Sequence, residues 1–374
     1  MIQIILILVA FYLLFVYQNK FYADRWNERL QIKIQFVAAE IKEGDRSKLK
    51  IVIENAKKLP LTMLMVKFQT DKYLTFDKQK GSITTDRYYH NDVFQVGGGE
   101  RVTRTMEFVG VKRGFYSINN VDLTSTDLFM HGQFHDSFKP NETIYVLPKP
   151  MRCEEFLTMM KHLNGERVTR FNIFEDPFEL RGIREYQSYD NMKSINWKAT
   201  AKTGRFMVNQ RSNTAPQNAS IYLNLTTRKV FHEEDDCEAV IRIGVGLLDY
   251  LLGEGMKVRF GCNGRDLETK EYLEKELGND INHVSVINRS LARVDLKQQP
   301  LSFRRTFASK IVTEKDIQYT CFVSCDYDQE FIDIMQELSR MGRFYIWFLA
   351  STEKVDESQI PPEVHSNMKL IRLM

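Results

Sequence analysis

Two histidines in the first half of the chain have the spacing of metal ligands. His131 and His135 are four residues apart, and Asp127 and Asp136 lie close to them in the sequence. Imidazole and carboxylate groups at this spacing on one helix face are typical of zinc sites. Gly132 interrupts any such helix. We therefore favour a polar loop that leads into the next strand over a metal site.

Other catalytic groups are sparse along the chain. The seven histidines are scattered, and the sequence has no nucleophile elbow, no phosphate-binding P-loop and no carboxylate pair placed by its spacing. The five cysteines lack the spacing of a zinc site or a disulfide framework, which indicates free or buried thiols in a reducing compartment. The sequence favours a non-enzymatic protein and implies no cofactor.

Cationic and aromatic residues concentrate in one stretch, residues 170–211, which we call the basic strip. Its candidate binding residues are Arg181, Arg184, Glu185, Tyr186, Asp190, Asn196, Trp197, Lys198, Lys202 and Arg205. Two interpretations stay open: an internal salt-bridged clasp, in which Trp197 anchors a junction between domains, or a patch that binds a partner protein. The net charge of +3 and the irregular spacing of the aromatics argue against nucleic acid.

The N-terminus has the composition of a membrane anchor. Residues 2–17 are uncharged and apolar except for Gln3, and aromatic residues at 21 and 22 extend this run towards the length of a spanning helix. Lys20, Arg25 and Arg29 follow the run, which by the positive-inside rule predicts cytoplasmic soluble domains. We expect residues 1–22 to form a single-pass anchor in the cell membrane.

A chain of 374 residues has room for two further domains. Short alternating runs between residues 28 and 150 predict a β-sandwich of the immunoglobulin or fibronectin type, with a hairpin-like turn at residues 112–114. From residue 218 to 374, strand-like runs alternate with amphipathic helical segments, which predicts an α/β domain with a mostly parallel sheet. Residues 151–217, which contain the basic strip, form the connector.

The connector also carries a family resemblance. Its motifs are R-G-I-R-E-Y at 181–186, Y-D-N at 189–191, I-N-W-K at 195–198 and the A-T-A-K-T-G run that ends at Gly204. This string resembles the signature of the domain-of-unknown-function 58 family, with Asn196 where that family usually has Asp. The resemblance implies a membrane-anchored bacterial protein with a C-terminal von Willebrand factor A-like domain.

In metal-binding domains of that type, a D-x-S-x-S loop after the first strand holds a divalent cation. The corresponding residues here are Asn224, Thr226 and Arg228, with Asp326 as a possible further ligand. An amide and a guanidinium stand where a carboxylate and a hydroxyl are needed, so we expect no strong metal site.

The leading functional prediction is therefore a membrane-anchored scaffold or adaptor. The resemblance implies a MoxR-type AAA+ ATPase as its partner, in protein assembly or maturation. The alternatives are a metal-dependent ligand-binding module of the von Willebrand A type and, as the weakest, a hydrolase.

Overall fold

The computed structural model describes residues 2–76, 83–84, 87–151, 175–187, 190, 192–213, 218–227, 233–313, 317, 319–352 and 357–373. The chain divides into two compact units. The first comprises Met1–Lys149 and Asn288–Val294, and the second comprises Pro150–Ile287 and Asp295–Met374.

The first unit begins with one long helix, α1 (Ile2–Arg25). No glycine or proline interrupts it, and most of its apolar side chains from Ile4 to Tyr17 are exposed, with Phe15 only partly so. Helix α1 is long and apolar enough to cross a membrane from Gln3 to Arg25. Near the end of the helix the chain enters the interior of the unit: Tyr22 is buried, and so is Trp26, directly after the helix.

Short strands form the rest of the first unit. They are β1 (Leu30–Phe36), β2 (Glu40–Lys42), β3 (Arg46–Asn55), β4 (Leu61–Asp71), β5 (Leu74–Phe76), β6 (Ile83–Thr84), β7 (Arg87–Val96), β8 (Arg101–Gly110), β9 (Gly114–Ile118), β10 (Val121–Thr126), β11 (Gln133–Phe138) and β12 (Glu142–Leu147). Apolar residues alternate with polar ones along most of them, as expected of strands with one buried face.

These strands form three sheets around one core. The orders are β1-β3-β8-β5, β11-β10-β4-β7-β6 and β2-β12-β9. Their inward-facing side chains, such as Ile51, Val66 and Ile144, belong to one hydrophobic cluster that also includes Trp26. The predicted β-sandwich is therefore present in this unit.

Two local predictions in this unit are wrong. The turn at residues 112–114 does not close a hairpin, because β8 pairs with β3 and β5 whereas β9 pairs with β12 in another sheet. The polar segment with His135 is not a loop: residues 133–138 form β11, which pairs antiparallel with β10. Its side chains are mostly exposed, so the apolar alternation that reveals a strand is missing.

In the second unit, the basic strip folds around a two-stranded ribbon. Strand β13 (Glu175–Glu185) pairs antiparallel with β14 (Met207–Asn213). Between them lie a 3₁₀ turn (Met192–Ser194) and a short helix, α2 (Trp197–Thr203).

Six strands and several helices follow in the chain, and all of them belong to the second unit except residues 288–292 at the end of the helix Ile281–Ala292, which belong to the first. In chain order the elements are β15 (Asn218–Asn224), α3 (Glu233–Gly253), β16 (Lys257–Arg265), β17 (Tyr272–Gly278), α4 (Ile281–Ala292), a π-helical turn (Arg304–Ala308), α5 (Ser309–Thr313), β18 (Tyr319–Ser324), α6 (Gln329–Arg340), β19 (Tyr345–Ser351), a 3₁₀ turn (Glu357–Gln359), α7 (Pro362–His365) and β20 (Met368–Arg372). The sheet order is β17-β16-β15-β18-β19-β20.

All neighbours in this sheet are parallel except β17, which runs antiparallel at one edge. Strands β15, β18 and β19 are almost continuously apolar and buried, as expected of a parallel sheet covered on both faces. In such sheets the carboxyl ends of adjacent strands meet at one edge, where binding sites usually lie.

Candidate functional site

The carboxyl ends of β16, β15 and β18 bring polar side chains together. Asn224 is the last residue of β15, and Asn263 lies near the end of the neighbouring β16, one residue beyond the last pair of their register. Both side chains are almost completely buried. Buried amides require hydrogen-bond partners, because an unpaired polar group in the interior costs about 1–3 kcal/mol.

The side chain of Asn263 supplies those partners. Its Nδ2 lies 2.9 Å from Asn224 Oδ1, 3.0 Å from Thr226 Oγ1 and 2.9 Å from the carbonyl oxygen of Leu301. Its Oδ1 accepts a hydrogen bond of 2.8 Å from the backbone N–H of Leu225. One amide therefore connects the loop after β15 to the segment around Leu301.

This cluster occupies the oxygens that a cation would use. Asn224 Oδ1 also accepts from the backbone N–H of Thr226 at 3.1 Å, and Thr226 Oγ1 contacts the Asn263 amide. Asp326, the possible further ligand, accepts through Oδ1 from the N–H of Tyr327 at 2.8 Å. Arg228 lies outside the described residues. Among those that are described, no three His, Cys, Asp or Glu side chains group closely enough to hold a metal ion.

A cleft of about 700 Å³ opens beside this cluster. Its lining includes Thr226, Arg304 and Arg305, together with the carboxylates of Asp328 and Glu330. Charges of both signs around an open cleft suit a polar ligand or a loop of another protein better than an apolar molecule.

The second candidate site is built on α2. Asn196 is the N-cap of this helix, where its side chain accepts a 2.9 Å hydrogen bond from the N–H of Ala199. Its Nδ2 donates to Asn209 Oδ1 on β14 at 2.7 Å. The helix ends at Gly204, whose left-handed conformation (φ 70°) places its N–H on the carbonyl oxygen of Thr200. Capping at both ends fixes a helix of only two turns against the ribbon.

Two ion pairs fasten the ribbon. Arg184 binds Asp190 through two hydrogen bonds of 2.6 Å, and Asp190 also accepts from the N–H of Gln187. The hydrogen bonds from Arg184 hold the pKa of Asp190 below its usual value. Arg205 donates to Glu185 at 2.7 Å, and this hydrogen bond raises the pKa of the guanidinium. Glu185 and Asp190 are thus both engaged locally.

Aromatic and cationic side chains are exposed on α2 and on the two residues after its C-cap. Trp197 is 65% exposed and Phe206 is 57% exposed, with their ring centroids 6.5 Å apart in an edge-to-face arrangement. Lys198, Lys202 and Arg205 are also exposed. We call these five residues the Trp197 face. Large exposed aromatics beside cations are typical of protein-binding surfaces.

The structure places the predicted residues of the basic strip in two roles. Arg184, Glu185, Asp190 and Arg205 form the local ion pairs, and Tyr186 lies 6.3 Å from Phe206 between ring centroids. The remaining described side chains belong to the cap or to the Trp197 face. Arg181 lies on β13. Trp197 is largely exposed, and the junction that it would anchor in a clasp stays a prediction.

Sequence reasoning missed Asn263 and Phe206. Asn263 follows the apolar part of β16 directly, and a polar residue at the carboxyl end of a predicted parallel strand was the available signal. Phe206 was hidden because an aromatic residue before an apolar strand is usually part of the core.

Comparisons with known proteins give little beyond these observations. No family model matches the chain, and no curated protein matches it. Solved structures that match include a non-cellulosomal cohesin from the archaeon Archaeoglobus fulgidus, which is 13% identical with a TM-score of 0.22 and is matched over 34% of this chain and 97% of its own.

The ASH/PapD-like domain of human CEP192 is 13% identical with a TM-score of 0.20, over 32% of this chain and 85% of its own. A CARDB domain from Pyrococcus furiosus is 11% identical with a TM-score of 0.20, and the match covers 32% of this chain and 90% of that domain's chain. Likenesses at these scores carry no argument about function.

Proposed function

We propose that this chain is a membrane-tethered, non-enzymatic scaffold that binds a partner protein through the Trp197 face. The observation that supports this function best is the exposure of Trp197, on a helix capped at both ends, and of Phe206, which follows that helix. A fixed aromatic surface loses little conformational entropy on binding, and tryptophan is among the residues that contribute most to protein interfaces.

We further propose that the second unit is a degenerate von Willebrand factor A-like domain. Its strand order, with the single antiparallel strand at the edge, supports this assignment. The amide of Asn263 donates to Asn224 and Thr226, the two described residues of the predicted ion loop. In this proposal a neutral hydrogen-bond donor replaces the cation, and the domain binds proteins without an ion.

The charge of the Trp197 face defines the chemistry of the partner. Lys198 and Lys202 are exposed, whereas the charge of Arg205 is partly compensated by Glu185. A complementary surface therefore carries carboxylates around an apolar depression that accepts the indole ring. The family resemblance proposes a MoxR-type AAA+ ATPase as the protein with this surface, acting in assembly or maturation at the cytoplasmic side of the membrane.

Co-purification of the full-length protein from membranes tests the scaffold. We expect Trp197→Ala to weaken capture of the partner by at least about 30-fold, which corresponds to about 2 kcal/mol for an interface tryptophan. Lys202→Glu should slow association and make capture less dependent on salt. The matched control is Lys257→Glu, a charge reversal at an exposed lysine on β16 of the same unit. Undiminished capture by both face variants would refute the proposal.

A metal-dependent ligand-binding module is the second candidate, because Thr226 lies at a polar cleft that carries two carboxylates. Calorimetric titration with Mg²⁺ and Mn²⁺ separates it from the scaffold. Binding at low micromolar affinity that is lost in Thr226→Val would replace the ion-free proposal.

A further inference from the structure

The loop between β10 and β11 carries three consecutive exposed apolar side chains. Leu128 is 49% exposed, Phe129 is 51% exposed and Met130 is 61% exposed. A monomeric soluble domain seldom presents three large apolar side chains in a row at a loop tip. We call residues 127–132 the apolar loop.

The apolar loop has a defined conformation. Asp127 is completely buried, and its carboxylate accepts hydrogen bonds of 2.7 Å from the backbone N–H of His131 and from Gln18 Nε2 on α1. The backbone N–H of Met130 donates to the carbonyl oxygen of Asp127 at 3.1 Å. The backbone N–H of Asp127 in turn donates to the carbonyl oxygen of Gly132. The apolar tip therefore projects from a fixed polar base.

The same loop lies against α1 at the end of its apolar run. The ring centroid of Phe15 is 5.8 Å from that of Phe129 and 5.4 Å from that of His131. One turn further along the helix, Gln18 makes the hydrogen bond to Asp127. Phe129 in the apolar tip thus lies level with Phe15 of the helix, and Asp127 in the polar base lies level with Gln18.

The length of the apolar run sets the depth of this contact. Residues 2–17 rise about 24 Å along a helix at 1.5 Å per residue, whereas the hydrocarbon layer of a bilayer is about 30 Å thick. Because the apolar run is shorter than the hydrocarbon layer, a helix that spans the bilayer has to place all of the run, including Phe15, within that layer. Phe129, in contact with Phe15, therefore lies at or within the hydrocarbon boundary.

Side chains typical of a membrane interface follow on α1, beyond Phe15. Tyr17 and Phe21 stack with centroids 6.3 Å apart, and the guanidinium of Arg25 lies 4.5 Å above the ring of Phe21. Aromatic and cationic residues at such positions are typical of the boundary between lipid and water.

We propose that the apolar loop inserts into the lipid bilayer beside α1 and forms a second membrane contact of the first unit. Leu128, Phe129 and Met130 enter the boundary between the headgroups and the acyl chains, while Asp127 and Gln18 stay at the headgroup level. This inference rests on the membrane anchoring assumed in the proposed function, but it does not depend on the partner protein.

Quenching by brominated lipids tests the depth of the loop. Full-length Phe129→Trp is reconstituted into phosphatidylcholine vesicles with and without bromine on the acyl chains, and the emission of the wild-type protein is subtracted. We expect blue-shifted emission that brominated lipid quenches strongly and aqueous acrylamide quenches weakly. Leu128→Trp repeats the measurement should Phe129→Trp fold poorly.

Two further variants separate the loop from the anchor. Leu8→Trp, near the middle of the apolar run of α1, should be quenched strongly whenever the helix spans the bilayer. Val37→Trp is exposed at the far end of β1 from the helix and should be quenched only by acrylamide. Quenching at position 8 without quenching at 128 or 129 overturns the loop proposal and leaves the anchor intact. Absence of lipid quenching at position 8 as well overturns the anchor and the inference together.

Discussion

In the proposed degenerate von Willebrand factor A-like domain, the side-chain amide of Asn263 takes over the structural work of an ion. A divalent cation at the end of a parallel sheet draws several oxygens together by charge. Here the Nδ2 group lies within 3.0 Å of three oxygens, from Asn224, Thr226 and Leu301. An amide needs no ion and no particular metal concentration, but its geometry is fixed.

Replacement of Asn263 should therefore destabilise the second unit. Asn263→Ala leaves Asn224 Oδ1 and the backbone N–H of Leu225 without their buried partner, and we expect a loss of about 2–3 kcal/mol in the free energy of unfolding. Urea denaturation followed by tryptophan fluorescence measures it. Asn279→Ala, at an exposed asparagine of the same unit, is the control and should change stability by less than about 0.5 kcal/mol. Equal effects of the two substitutions would contradict the bridging role.

His90 makes the stability of the first unit depend on pH. Its ring stacks on Phe68 with centroids 4.5 Å apart, and its Nε2 lies 2.9 Å from Thr70 Oγ1. Burial lowers the pKa of His90 from 6.5 to about 4, while Asp92 acts in the opposite direction. Between these two pH values the unfolded chain binds a proton that the folded chain does not.

We accordingly expect the free energy of unfolding of this unit to fall as the pH is lowered from about 6.5 to 4, by up to about 3 kcal/mol. In His90→Phe this contribution is absent, so the pH dependence in that window should flatten. Thermal unfolding midpoints across the pH range provide the measurement. The exposed His135 provides the control, because His135→Phe should keep the slope. A slope unchanged by His90→Phe would show that other groups are responsible.

At the scale of single elements, the sequence predicted the strands that have an alternating apolar pattern. It missed a strand whose position depends on pairing with another part of the chain. The apolar alternation of β1, β3 and β4 was sufficient to identify them. Strand β11 was missed because its side chains are mostly exposed, and its position depends on hydrogen bonds to β10. The hairpin predicted at residues 112–114 was wrong for a similar reason, since the residues of a turn do not specify which strands pair.

The basic strip shows the same limit. The composition identified the cationic residues. The number of carboxylates nearby did not decide whether these cations form an internal salt-bridged clasp or a patch that binds a partner protein. The structure describes Arg184 and Arg205 in ion pairs, while Trp197 and Lys202 face solvent. Residue type alone does not determine which members of a cluster form ion pairs, because that depends on where the backbone places Arg184 and Asp190.

Helix α2 depends on its N-cap. Asn196→Ala removes the acceptor for the N–H of Ala199 and the contact with Asn209, and we expect about 1 kcal/mol of local destabilisation. Asn196→Asp should keep the helix, because a carboxylate is also an N-cap acceptor and interacts favourably with the helix dipole. Amide hydrogen exchange along α2 distinguishes the two variants: protection should fall in the first and persist in the second. Equal loss of protection would point to the contact with Asn209 instead.

At the scale of the whole molecule, the proposed scaffold combines a membrane tether with the modest Trp197 face. One aromatic and cationic surface on a short helix suits a transient interface, which by itself gives weak binding. Attachment to a membrane confines the protein, so a partner at the same membrane meets it at a higher effective concentration. The proposed scaffold thus depends on the anchor for affinity and on the face for specificity.

The orientation of the anchor is a prediction from charge. Because Lys20, Arg25 and Arg29 follow the apolar run, the soluble units should be digested by protease in inside-out membrane vesicles and protected in right-side-out ones. Neutralising the three to glutamine removes the bias and should leave a mixed population. The control neutralises three lysines more than 20 residues beyond the span, Lys48, Lys50 and Lys67. These should leave the orientation unchanged, because only charges close to a span act on its insertion. Uniform digestion in right-side-out vesicles would place both units, and any partner of the Trp197 face, on the opposite side of the membrane.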